Sequence, residues 1–204
     1  MIETRPVLLL GTANKGKVRE YKNLLRGIPH RIKTPAELGV TIEVAETGTT
    51  FEENAALKAT AFAAASGRLS LADDSGLEVD ALGGEPGPRS RRYAGEGASD
   101  AARIDFLLAR LKDVPEPERT ARFRCVIAIA APHGQTELFS GECPGIIISQ
   151  PRGRHGFGYD PIFYLPELGK TMAELTLAEK NRVSHRARAA EKARKWLMGM
   201  GARE

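Results

Sequence analysis

Two neighbouring carboxylates, Asp73 and Asp74, close a short apolar run, Leu69-Ser70-Leu71-Ala72, and are followed by Ser75-Gly76. An apolar run of strand length closed by Ser-Gly reads as a buried β-strand that ends at a loop. Adjacent acids at a core edge are costly unless a cation or hydrogen-bond donors compensate them. In open α/β sheets, ligands collect at the C-terminal ends of strands. The pair therefore suits a hard divalent cation such as Mg²⁺, and with it phosphate chemistry. The same residues would also serve as a solvated turn bearing two surface acids, since Asp and Ser favour turns.

A second segment also suits phosphate. Val7-Leu8-Leu9-Leu10 runs into Gly11-Thr12-Ala13-Asn14-Lys15-Gly16-Lys17, after which Val18, Tyr21, Leu24 and Leu25 recur at helical spacing. Strand, glycine-bearing loop and helix together present backbone N–H groups and a positive dipole end to an anion. Asn14 is the expected N-cap. Lys17 falls in the first turn, where its charge opposes the helix dipole unless an anion neutralises it. Gly11 to Lys17 matches the G-x-x-x-x-G-K part of a P-loop, but Val18 stands where that loop needs a hydroxyl for Mg²⁺. An ordinary strand-to-helix turn with surface lysines has the same composition.

Two later motifs could hold an aromatic ligand. His155-Gly156-Phe157-Gly158-Tyr159-Asp160-Pro161 sets a ring between glycines, so backbone can approach a ligand while Phe157 offers a flat face suited to a nucleobase. A core Phe in a glycine turn would read the same way, and His155 by itself reads as a loop histidine. Further on comes Lys180-Asn181-Arg182-Val183-Ser184-His185-Arg186, preceded by the capping box Thr176-Leu177-Ala178-Glu179, which starts a helical turn. On an unbroken helix Lys180 and His185 would lie about 140° apart, too divergent to share one small ligand. A break is therefore expected, with Ser184 capping a separate last helix and His185 and Arg186 at its N-terminus. One continuous helix with a solvated charged face is the alternative.

The elements that must position these groups are legible in outline. Helical patterns fall at about 15–26, 50–66, 99–112 and 184–199, and strand-like runs at about 7–11, 69–73, 121–131 and 136–148. The second helix opens with a capping box, Thr50-Phe51-Glu52-Glu53. Pro132-His133-Gly134-Gln135 joins the last two strands as an antiparallel hairpin. Helices alternating with strands, plus that hairpin, imply an α/β fold with a mixed sheet. The Gly- and Pro-rich stretch from Ala81 to Gly97 reads as a structured loop rather than a linker.

The chain of 204 residues suits a single domain spanning 1–204, with one lobe or two, and is long enough for a real core. Its 42% hydrophobic and 27% charged content are those of a soluble globular protein, and it shows no signal-peptide pattern or run of membrane length. No membrane partner is expected. The two cysteines, Cys125 and Cys143, lack metal-type spacing, and Cys125 lies in an apolar run where a buried thiol is expected. A reducing, cytoplasmic setting is the simplest. From Lys180 onward the basic residues carry more positive charge than the whole chain's net +4. A nucleic-acid patch, a polyphosphate site or a solvated helix face would each look so. Trp196 is the one aromatic there, which ranks single-strand nucleic acid last.

Taken in order, the motifs resemble the inosine triphosphate pyrophosphatase family, the dITP/XTP (non-canonical purine NTP) pyrophosphatases. The resemblance rests on Thr12-x-Asn14-x-x-Lys17, Glu46-Thr47-Gly48-x-Thr50-Phe51-x-Glu53-Asn54-Ala55, Ala72-Asp73-Asp74-Ser75-Gly76-Leu77, Phe157-Gly158-Tyr159-Asp160-Pro161 and Ser184-His185-Arg186. It implies Mg²⁺-dependent cleavage of ITP, dITP and XTP between the α- and β-phosphates, giving monophosphate and pyrophosphate and cleansing the nucleotide pool. By that resemblance Asp74 is the general base, Glu46 and Asp74 are metal ligands, and Asp73 supports them. Thr12, Asn14, Lys17 and Ser75 would hold the triphosphate. Phe157, Gly158, Tyr159, Asp160, Lys180, His185 and Arg186 would hold base and sugar. The family also implies a homodimer and an elongated two-lobed α/β fold around a long mixed sheet. Two departures stand out: Arg91, where the family usually has Ala, and His155, often Gly. Adjacent side chains on a strand point to opposite faces, so Asp73 and Asp74 can share one metal only if the chain turns at Ser75-Gly76.

Overall fold

The structure is a computed structural model and describes residues 5–200. Seven strands form one mixed sheet in the order β2-β1-β3-β4-β5-β6-β7. They are β1 (Val7–Leu10), β2 (Arg31–Lys33), β3 (Ser70–Val79), β4 (Thr120–Ala130), β5 (Thr136–Ile147), β6 (Phe163–Leu165) and β7 (Lys170–Thr171). β1 lies parallel to both β2 and β3, whereas β6 is antiparallel to β5 and to β7. The five residues between the sheet neighbours β4 and β5 leave no room for a crossover, so the pair is the expected hairpin. Six α-helices accompany the sheet: α1 (Lys15–Leu24), α2 (Pro35–Leu38), α3 (Phe51–Ser66), α4 (Asp100–Arg110), α5 (Leu177–Val183) and α6 (His185–Met200). The stretch from Ala81 to Gly97 is structured, with a 3-10 turn at Gly87–Arg92.

The chain divides into two compact units. Among the described residues, one comprises 5–74, 125–141 and 187–200, the other 75–124 and 142–186. Strand parity organises the first. Even-numbered Ala72, Val126, Ala128 and Ala130 pack against Phe51, Ala55, Ala59 and Ala63 of α3. Small side chains on both elements let the helix lie close to the sheet. Odd-numbered Leu71, Cys125, Ile127 and Ile129 face Tyr21 of α1 and Ala189, Ala190, Ala193 and Leu197 of α6. The sheet of this unit is thus covered on both sides, which explains why Leu8, Leu9 and Leu10 of β1 are all buried and show no alternation. In the second unit, Leu77, Val79, Phe123, Cys143, Ile147 and Phe163 of the strands enclose Ile104, Leu107 and Leu111 on and after α4.

One expectation is corrected. The strand does not end at the acids: β3 runs on through Ser75 and Gly76 to Val79. Leu77 and Val79 are fully buried, and their period-two spacing after the acids carries the strand forward. Gly76 does not adopt a positive φ, so no turn forms there. The expected break at Ser184 is present. α5 stops at Val183, Ser184 is extended (φ −69°, ψ 155°), and α6 begins at His185. Both cysteines are buried, and neither is in a disulfide.

Candidate functional site

The same parity that organises the sheet separates the two acids. Asp74 is even-numbered and projects to the α3 side, where Lys58 Nζ lies 3.1 Å from its Oδ1 and Asn54 Nδ2 donates to its Oδ2 at 3.4 Å. Asn54 and Lys58 stand one helical turn apart, so both side chains share one face of α3. Asp73 projects to the α1 side, 2.9 Å from Lys17 Nζ and 3.8 Å from Cys125 Sγ. The cationic first turn of α1 is thus matched by a carboxylate of the protein itself. With β3 straight, the condition for Asp73 and Asp74 to share one ion is not met, and among the described residues no cluster of three or more His, Cys, Asp or Glu is arranged to hold one.

Glu46 comes to Asp74 through a loop that α3 anchors. Thr50 caps α3, and Glu53 Oε2 accepts from Thr49 N at 2.6 Å and Thr50 N at 3.3 Å. Asn54 Oδ1 accepts from Gly48 N at 2.8 Å. Gly48 is required here: a Cβ would sit 2.6 Å from Glu53 Cβ and 2.8 Å from Asn54 Oδ1. So anchored, Glu46 places Oε1 2.7 Å from Lys58 Nζ. Glu46 and Asp74 therefore aim one oxygen each at a single ammonium. Burial pushes the Asp74 carboxyl above its ordinary value, against the pull of Lys58 and Lys17. The Lys58 ammonium is held above its ordinary value, because Asp74, Asp73 and Glu46 outweigh its own burial. Two convergent carboxylate oxygens beside a buried positive charge form a donor set that suits a hard cation such as Mg²⁺, with Lys58 marking where positive charge is wanted.

The glycine loop is ordered by its own side chains. Asn14 Oδ1 caps α1 by accepting from Gly16 N at 2.8 Å and Lys17 N at 3.1 Å, and Thr12 Oγ1 accepts from Asn14 N at 3.2 Å. Val18 packs onto the core. A residue so placed supports packing, not the hydroxyl chemistry of a P-loop.

In the second unit the structure brings Phe157, Asp160, Lys180 and Arg186 together. Lys180 Nζ lies 2.6 Å from Asp160 Oδ2 in a buried ion pair, and the same oxygen accepts from Phe157 N at 2.9 Å. Breaking such a pair from one side costs about 3–5 kcal/mol. Gly156 (φ +80°) makes room for it, since a Cβ there would lie against the Asp160 carboxylate. Lys180 Nζ and Arg186 Cζ stand 4.9 and 5.6 Å from the Phe157 ring centroid. Arg186 also donates to Ser75 Oγ at 2.9 Å. His185 stacks on Phe123 at 4.9 Å between ring centroids. Tyr159 turns into the core and donates its hydroxyl to Ser90 O, and burial pushes its phenol well above the ordinary value. Arg91 and His155 are both exposed.

The Ham1 family description matches residues 8–196. This chain belongs to the Ham1 family. It is 50% identical over 189 residues to the dITP/XTP pyrophosphatase of Bacillus subtilis, covering 93% of this chain and 96% of that one. To the dITP/XTP pyrophosphatase of Geobacter sulfurreducens it is 53% identical over 182 residues, with 89% and 92% covered. The solved HAM1 protein from Coxiella burnetii superposes with a TM-score of 0.87 at 41% identity, covering 95% of this chain and 99% of that structure.

Within this Ham1 chain, sequence reasoning missed Lys58, which lies in an alanine-rich helix and belongs to no motif. Its one signal was its spacing, four residues after Asn54 of the Glu46–Ala55 motif. Asp100, which accepts from Gly158 N, and Arg103, which bonds Asp100, carried no signal at all.

Proposed function

We propose that this chain hydrolyses non-canonical purine nucleoside triphosphates (ITP, dITP and XTP) to the monophosphate and pyrophosphate. The observation that carries this is the convergence of Glu46 and Asp74 on one buried positive charge, with a second carboxylate–lysine pair, Asp73 and Lys17, on the opposite face of the same strand. The relatives named dITP/XTP pyrophosphatase, about half identical over most of the chain, support the substrate class.

Glu46 and Asp74 would hold Mg²⁺, while Asp73, on the other face of β3, would act only through Lys17; when bound, the ion would neutralise phosphoryl charge and make a nearby water more acidic. Asp74 accepts the water's proton as the oxygen attacks the α-phosphorus. The bond from that phosphorus to the bridging oxygen breaks, pyrophosphate departs, and the proton passes to solvent. Lys17 and Lys58 counter the charge that the leaving pyrophosphate gathers. Thr12, Asn14 and Ser75 order the triphosphate. Phe157 stacks on the purine, with Gly158, Tyr159 and Asp160 shaping its turn. Lys180, His185 and Arg186 supply donors for the 6-oxo edge. Adenine's amino group would leave such a donor unpaired, an effect worth several powers of ten in discrimination.

We take the catalytic domain to span the chain and to work as a homodimer in the cytoplasm, by likeness to the family. No helix among the described residues is long and apolar enough to cross a membrane. The test is a phosphate-release panel over natural and deaminated nucleoside triphosphates, with and without a coupling inorganic pyrophosphatase. Release from ITP, dITP and XTP only with the coupling enzyme supports the proposal. Orthophosphate without it would identify a γ-phosphate hydrolase, and no release at all a nucleotide-binding module.

A further inference from the structure

Phe157 is a half-buried ring whose neighbours are fastened by groups outside every binding motif. Tyr159 is held by Ser90 O at 3.0 Å. Gly158 (φ +64°) donates its N–H to Asp100 Oδ2 at 2.7 Å. Asp100 is the first residue of α4, and its other oxygen is bonded by Arg103 one turn later. Arg103 in turn donates to Arg91 O at 2.9 Å and to Ala98 O at 2.6 Å. A carboxylate and a guanidinium on one helix thus connect three separate stretches of backbone. The cap of α4 does not require them, because Ser99 already accepts from Ala102 N at 3.1 Å.

A glycine in the left-handed region has no side chain to hold its conformation, so its N–H bond is its natural restraint. Resting on the nucleotide reading above, we infer that Asp100, braced by Arg103, is a positioning residue that fixes the 156–160 turn so that the Phe157 ring is in place before the purine arrives. Ordering a loop in advance removes a cost of binding and leaves the chemical step alone. The signature is therefore a change in KM without a change in kcat.

The experiment compares the full-length wild type with Asp100→Ala and Asp100→Asn by amide hydrogen exchange, thermal melting and steady-state ITP hydrolysis. The Asp100 side chain is 47% exposed, so its truncation leaves the core intact. Asp100→Ala is expected to speed exchange at Gly158 about tenfold, as local opening becomes easier. It should raise KM for ITP about fivefold while kcat stays within about twofold, and the melting temperature should hold. Asp100→Asn keeps an acceptor for Gly158 and should fall between the two. Unchanged exchange at Gly158, unchanged KM, or a parallel fall of kcat and melting temperature would each overturn the inference. A wild type that releases no pyrophosphate would sink the nucleotide reading instead, and exchange at Gly158 would still decide whether Asp100 holds the turn.

Discussion

Asp73 and Asp74 differ by one position and by everything that surrounds them. Parity along a straight strand sends one to Lys17 and the other to Lys58, so the pair that looks interchangeable in sequence has two environments. The residue types were legible, and so were Asn14 as a cap and the clustering of Phe157, Asp160, Lys180 and Arg186. The partners were not, because Lys58 and Asp100 reach the site through tertiary contacts that leave no local pattern. Base recognition makes a prediction at this scale. Changing His185 or Arg186 should weaken ITP and XTP binding more than it slows turnover, and should compress the ratio of ITP to ATP use. Phe157→Ala should instead lower affinity for every purine by roughly 1–3 kcal/mol, since stacking ignores the base edge. Titrating ITP, XTP and ATP against the three variants separates the two patterns. An unchanged ITP/ATP ratio in both the His185 and Arg186 variants would move selection to other groups.

Among the elements, helix boundaries were read well because their caps are local chemistry. Thr50, Thr176 and Ser184 mark their boundaries in sequence as in structure. Short β2, β6 and β7 were missed, since two or three residues carry no periodicity and form only because a neighbouring strand pairs with them. The β3 end was misread because Ser-Gly is a turn signal that the buried Leu77 and Val79 override. Capping boxes give the element-scale prediction. Backbone hydrogen bonds from Thr34 and Thr176 lead in holding Glu37 and Glu179 down at about 2. Carboxyls lowered in the folded state add stability that is present above their unfolded value of 4.5 and is lost as pH falls towards about 2. Glutamine keeps an acceptor and does not titrate. The double variant Glu37→Gln, Glu179→Gln should therefore lose less melting temperature than wild type across that window. Identical acid limbs would show that these caps do not carry the dependence.

For the whole molecule, alternation of helix and strand gave the mixed α/β class, but the strand order could not be read. Which strand lies beside β1 depends on contacts far apart in sequence, with β3 on one side and β2 on the other. The proposed chemistry rests on the Glu46–Lys58–Asp74 cluster acting on the α-phosphorus. The most direct test follows ITP and Mg²⁺ by phosphorus NMR with the wild type and with folded Asp74→Asn. The account predicts IMP and pyrophosphate as the first products of the wild type, and turnover reduced by about 10³-fold or more in the variant, which loses both base and charge. Asp73→Asn, on the Lys17 side, should cost less. IDP and orthophosphate as first products, or near-wild-type turnover in Asp74→Asn, would contradict it.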